Sequence, residues 1–196
     1  MAAYAWLDKG ITVPDSPQAE ALLKAIDQKD WDGFLKNVYL RCGLERLAHG
    51  KPVSPKSVAS WKNTKEFHEI LAASVNDAKG KFQICGVMIV MMATLVFFFI
   101  NAVMRGLYVV NFSVDALVGV AALVFLIHNL RIKYRLVRSL TKSRDYLYLD
   151  ILSALLSGLL KIMLPANLDF SLFVFMVSYF VQKRKFDQLL QQTLKY

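Results

Sequence analysis

Five residues between positions 148 and 164 bring charge, hydroxyl groups and small size into a run that is otherwise rich in leucine. They are Asp150, Ser153, Ser157, Gly158 and Lys161. At about 3.6 residues per turn these positions share one face of a helix, and the branched aliphatic residues between them share the opposite face. The two charges are about 16 Å apart along the helix axis, so each needs a partner from elsewhere in the protein.

Two interpretations of this polar face follow, and the sequence leaves both open. The face can line a water-filled pore or substrate path, where ionisable residues within an apolar segment are usually found. Alternatively it is a packing seam: Ser153 and Ser157 form a small-xxx-small pattern that lets helices approach closely. In the second case Asp150 and Lys161 extend toward opposite membrane interfaces. Six residues elsewhere in the chain are possible polar partners: Asn101, Arg105, Asp115, His128, Asn129 and Asp169.

The partners divide by position. His128 or Asn129 is expected to meet Asp150, and Asp115 or Asp169 is expected to meet Lys161. This division assumes that the spans run antiparallel, so that the end of one lies beside the start of the next.

The composition indicates a membrane protein. The 196 residues are 56% hydrophobic and 20% charged, whereas soluble domains are about 45–50% apolar and about 25% charged. The long apolar runs all follow Phe82. The sequence therefore predicts an all-α fold with a cytoplasmic helical domain over 1–81, a transmembrane domain over 82–182 and an amphipathic cytoplasmic tail over 183–196.

Four spans forming two transmembrane hairpins are predicted, at about 84–104, 109–130, 147–164 and 169–182. The first has 21 uncharged residues and a helical length of about 31 Å, which matches a hydrocarbon core of about 30 Å. The third and fourth have shorter uncharged runs. For them a re-entrant or surface-lying pair remains the alternative to full crossing.

The basic residues predict the orientation. Segment 131–146 is a basic loop, with six Lys or Arg and no acid over 131–144. With both termini inside, only Arg105 and Lys161 of the 24 basic residues lie near the outer face. We expect a bacterial inner or cell membrane with cytoplasmic termini. Anionic lipid headgroups are the expected contacts of seven residues: Arg131, Lys133, Arg135, Arg138, Lys183, Arg184 and Lys185.

Motifs for catalysis or metal binding are missing from the sequence. His68-Glu69 begins like a zinc-protease helix, but Ala72 stands where the second histidine belongs. The three histidines lie in separate segments, and the chain has no phosphate-binding glycine loop or CxxC pair. We therefore expect no enzyme activity, no cofactor and no metal. Because the basic residues flank the spans, the net charge of +9 does not indicate nucleic-acid binding.

An oligomeric pore or channel-like component is the expected function. Four short spans are few to form a path in one chain, so a path would require several copies around an axis. We expect a homo-oligomer whose domain over 1–81 regulates the pore or docks a cytoplasmic protein partner. The alternative is a non-transporting adaptor, regulatory or toxin-immunity protein that acts through helix contacts in the bilayer.

Capping signals predict the helices of the N-terminal domain. Ser16 followed by Pro17 predicts a helix start, and Asp30 and Ser54 predict two more. Asn63, with a glutamate three positions later, predicts a fourth. Gly80, just before the first apolar run, is the candidate hinge.

Overall fold

A computed structural model describes residues 4–104, 112–163 and 170–195, with side chains described throughout these ranges except at 55–56, 101–104, 112–116 and 162. All regular secondary structure in these ranges is helical, as predicted. The elements, in chain order, are α1 (Pro17–Asp27), α2 (Gly33–Ala48), a 3-10 helix (Pro55–Asn63), α3 (Lys65–Met104), α4 (Phe112–Leu140), α5 (Asp145–Met163) and α6 (Ser171–Leu194).

The N-termini of α1 and α2 are capped by side chains. Ser16 Oγ accepts a hydrogen bond from the Ala19 amide at 3.2 Å, and Pro17 occupies the first helical position, as the sequence predicts. The second helix begins two residues later than predicted. Asp32 remains extended, and its carboxylate, rather than that of Asp30, accepts from the Leu35 amide at 2.8 Å.

The start of α3 also differs by one residue from the prediction. Thr64, rather than Asn63, caps it by accepting from the Phe67 amide at 3.4 Å. The reason is that Asn63 is still part of the 3-10 helix, while Thr64 is the first residue with extended backbone after it.

The residues form two compact units. The first unit contains Met1–Ala78, Arg138–Lys142 and Leu189–Tyr196, and the second contains Lys79–Val137 and Ser143–Gln188. We refer to them below as the first and second units. The sequence boundary after residue 81 remains a prediction, because compactness alone does not assign a domain to the cytoplasm.

An aromatic stack forms the centre of the first unit. The Trp31 and Tyr39 rings are nearly parallel, with centroids 3.9 Å apart, and the centroid of the Phe67 ring, on α3, lies 4.5 Å from that of Tyr39. Leu22 and Ile26 of α1 are fully buried in the same unit. Helical spacing places Leu22 and Ile26, Tyr39 and Phe67 on the inner faces of α1, α2 and α3, and Trp31 stacks on Tyr39 from the segment before α2. Burial of this kind is the main stabilising term of a small helical domain.

Cys42 is a free, buried thiol in the first unit. Burial raises the pKa of this thiol above its ordinary value, because the thiolate loses hydration. The neutral form is therefore favoured, and Cys42 acts as a small apolar core residue.

Parts of four helices make up the second unit. Gly80 lies inside α3 with helical backbone on both sides, and the hinge expected at this residue stays a prediction. A stacked pair of rings, Phe82 and Phe186, joins α3 to α6 with centroids 4.1 Å apart. Farther along α3, Val90 and Ala93 pack with Phe175 of α6 in a buried cluster. The packing between α3 and α6 therefore extends along α3 from Phe82 to Ala93.

Two helices are long and apolar enough to cross a membrane among the residues that the structure describes, whereas the sequence predicts four. They are Lys65–Ile100 and Leu117–Leu140, and only 28% and 17% of their most apolar windows are buried. Core helices of soluble proteins are mostly buried. The third and fourth predicted spans lie in α5 and α6. Helix α5 carries Asp150 and Lys161 within its apolar run, and the sequence of α6 becomes basic at Lys183.

Candidate functional site

Asp150 is the centre of a polar network that joins three helices of the second unit. Lys133 on α4 donates from Nζ to both carboxylate oxygens, at 2.8 and 2.7 Å. Gln182 on α6 donates from Nε2 to Oδ1 of Asp150 at 2.8 Å and also contacts Ser178 Oγ at 3.1 Å. Lys133 is 5% exposed and Gln182 is 1% exposed. The acid of the apolar segment thus has a buried cationic partner.

The position of Lys133 corrects its expected role as a headgroup contact. The six basic residues of 131–144, with no acid among them, predict a loop over 131–146, but α4 continues to Leu140. Asn129, Lys133 and Val137 recur at four-residue spacing and are all buried, so Lys133 lies on the inner face of α4. This spacing is the signal in the sequence that could have identified Lys133 as the partner of Asp150.

The two residues expected beside Asp150 lie elsewhere. Asn129 donates to the Phe125 carbonyl of its own helix at 2.8 Å, and His128 is exposed. Asn129 precedes Lys133 by one helical turn, so the prediction identified the correct helix but the wrong turn. A short amide fits against its own backbone there, whereas the long lysine side chain reaches across to α5.

Ser153 and Ser157 occupy the buried side of α5. Ser153 is 6% exposed and donates to the Leu149 carbonyl of its own helix at 2.6 Å. Ser157 is 1% exposed, and its hydroxyl has no hydrogen-bond partner among the described residues. Gly158 differs from both serines, because a β-carbon added there would meet no atom within 4 Å. Close packing therefore involves the serines and not the glycine.

Lys161 contacts α3 near the other end of α5. Its Nζ donates to the Phe97 carbonyl and lies 5.4 Å from the centroid of the Phe97 ring. The aromatic face attracts the ammonium group in addition to the hydrogen bond. The expected acidic partners of Lys161 are not tested, because Asp169 and the side chain of Asp115 lie outside the described residues. The same holds for Arg105 and for the side chain of Asn101, the other possible polar partners near that end.

Two close helix approaches in the second unit involve glycines. A β-carbon on Gly86 of α3 would overlap the Tyr179 ring of α6, and one on Gly119 of α4 would lie 3.0 Å from the Phe99 ring of α3. Gly86, which stands in an uncharged apolar run, is not among the residues predicted from the sequence. Its role depends on the neighbouring aromatic ring, which a single sequence does not place.

The remaining residues expected at lipid headgroups are largely solvent-accessible. Arg131, Arg135, Arg138, Arg184 and Lys185 are exposed, and Lys183 is partly buried. Accessibility allows headgroup contact but does not demonstrate it. Their assignment stays a prediction.

Asp150, Lys133 and Gln182 form a largely buried network in which the lysine compensates the charge of the acid. Removing one member of a buried ion pair leaves an uncompensated charge, whereas an intact pair with additional hydrogen bonds can be accommodated. No group of three His, Cys, Asp or Glu side chains that could hold a metal is present within the described ranges.

Comparison with family models, with curated proteins and with solved structures finds no match.

Proposed function

We propose that the second unit is embedded in a lipid bilayer. Its surface supports this proposal, since large apolar side chains on every helix are exposed. Phe98, Leu117, Leu155 and Phe173 represent α3, α4, α5 and α6, and each is more than 60% exposed. Soluble monomers rarely expose continuous apolar surfaces of this extent, because water contact with them is unfavourable.

We propose further that α5 and α6 also cross, which gives four spans. Both helices expose their apolar residues, such as Leu155 and Phe173, and bury polar ones, such as Ser157 and Gln182. This arrangement suits a hydrocarbon solvent, in which polar groups need partners inside the protein. The 19 residues of α5 extend about 28 Å, close to the thickness of the hydrocarbon core.

The proposed topology has both termini in the cytoplasm. Segment 131–144, with its six basic residues, then lies on the cytoplasmic side, as basic segments next to spans generally do. The same orientation places the domain over 1–81 and the tail in the cytoplasm.

The function that the geometry supports best is a non-transporting membrane adaptor that acts through helix contacts. One observation carries this proposal: the polar face of α5 is occupied within the chain. Asp150 is bonded to Lys133 and Gln182, and Ser153 and Ser157 are buried. A pore with α5 from each subunit around its axis requires that face to be open. The domain over 1–81 is the proposed docking site for a protein partner.

An oligomeric pore is the second candidate, and one observation favours it. Gly158 has open space beside it and precedes Lys161 by three residues, so another copy of the chain has room to approach there. In such an assembly Lys161 would lie near the contact and Gly158 within it.

Ion flux in liposomes distinguishes the adaptor from the pore. We expect liposomes containing the purified protein to leak cations no faster than empty ones. We also expect Ser157→Leu to lower the melting temperature without changing the flux, because Ser157 is enclosed. Leu155→Phe, on the exposed face of α5, is the matched control and leaves both quantities unchanged. Cation flux that Ser157→Leu abolishes in a protein of unchanged stability would support the pore instead.

A further inference from the structure

A cavity of about 380 Å³ lies between α4 and α5 in the second unit. One face of each helix lines it, with Leu130, Tyr134 and Val137 from α4 and Ile151 and Ala154 from α5. The volume falls within the range of small-molecule sites, which is about 300–1,000 Å³. The lining is mainly aliphatic and aromatic, so the cavity suits an apolar chain.

The wall of the cavity contains an unpartnered buried hydroxyl. Tyr146 lines it and is 4% exposed, yet its hydroxyl has no hydrogen-bond partner among the described residues. That oxygen is itself closed to water, so it faces protein atoms and not the open cavity. The Tyr146 ring therefore adds to the apolar lining of the cavity.

The charges that line the cavity favour an anion. Arg131 and Lys133 are cationic and Asp150 is anionic. Since Lys133 is paired with Asp150, the exposed Arg131 guanidinium is the charge left for a ligand. A guanidinium matches a phosphate geometrically, because two N–H groups can donate to two oxygens.

We propose that this cavity holds one acyl chain of an anionic phospholipid, with the phosphate at Arg131. The inference rests on the proposed membrane embedding and on the orientation that places this end of α4 and α5 at the cytoplasmic leaflet. That leaflet is rich in anionic lipid, and basic residues next to spans are attracted to it.

Native mass spectrometry of the detergent-solubilised protein tests the proposal. Phosphatidylglycerol and phosphatidylcholine with identical acyl chains are the two probes. We expect one phosphatidylglycerol to be retained at least fivefold more than phosphatidylcholine. Ala154→Phe, which fills the cavity, reduces retention of both lipids about tenfold. Arg131→Gln removes the preference for phosphatidylglycerol and leaves phosphatidylcholine retention unchanged.

Arg135→Gln is the matched control, because Arg135 is an exposed arginine on α4 outside the cavity lining. It is expected to bind both lipids like the unaltered protein. Equal retention of the two lipids by the unaltered protein would overturn the inference, as would an Ala154→Phe variant that retains phosphatidylglycerol. If either of these two results is obtained with a protein that stays in solution only in detergent, the lipid site is wrong but the proposed membrane embedding stands. A protein that stays soluble without detergent overturns that proposal separately.

Discussion

Replacing Asp150 with leucine is expected to lower the free energy of unfolding by about 3–5 kcal/mol. The change leaves the Lys133 ammonium 5% exposed and without the carboxylate that accepts both of its hydrogen bonds. Lys133→Met leaves the opposite charge uncompensated, so a loss of similar size is expected. The measurement is a titration with sodium dodecyl sulfate in mixed micelles, followed by circular dichroism of the helices.

The double variant Asp150→Leu with Lys133→Met provides the decisive comparison. It is expected to unfold within about 1 kcal/mol of the unaltered protein, because well-packed apolar residues can replace a buried pair without net loss. The coupling energy implied by these losses is at least about 5 kcal/mol, which is above the range usual for contacting residues, because each single variant leaves a buried charge without its partner. Arg135→Met, which removes an exposed cation from the same helix, is the control and changes stability little. Additive losses in the double variant would contradict the proposed pair.

Replacing Gly86 with leucine is expected to lower the free energy of unfolding by about 3 kcal/mol. Even a β-carbon at this position would overlap the Tyr179 ring, so the longer side chain must displace α6 or force Tyr179 from its site. Cores close-pack like organic crystals, and they resist added volume for that reason. The same mixed-micelle titration measures the loss.

Two further variants separate overlap from other effects of the substitution. Gly158→Leu introduces the same side chain into α5 at a glycine with no atom within 4 Å of its β-carbon position, and it is expected to be neutral or slightly stabilising. Adding Tyr179→Ala to Gly86→Leu is expected to recover at least half of the loss. Equal losses at Gly86 and Gly158 would show that the close approach of α3 and α6 does not occur.

The helical class and the segregated face of α5 could be predicted from the sequence, because both depend on local periodicity. A serine followed by a proline determined the start of α1 for the same reason. Caps that depend on where a preceding turn ends, such as Asp32 and Thr64, were displaced by one or two residues. Local signals therefore identify elements more reliably than their boundaries.

The partners of Asp150 required three-dimensional information. Lys133 and Gln182 lie 17 and 32 residues away, and the sequence assigned them to a loop and to the end of a span. Basic residues next to an apolar run usually face the cytoplasm and indicate the orientation of the span. Lys133 was assigned with its exposed basic neighbours for that reason, although its side chain points inward. The Gly86 contact was missed because it depends on a ring from another helix.

Reporter fusions after positions 106, 140, 167 and 196 test the central claim, which is that α5 and α6 cross the bilayer as α3 and α4 do. A reporter pair is used in which one enzyme is active only in the cytoplasm and the other only outside. The account predicts cytoplasmic activity after positions 140 and 196 and outside activity after positions 106 and 167. Cytoplasmic activity after position 167, with outside activity after 106, would contradict the four-span account.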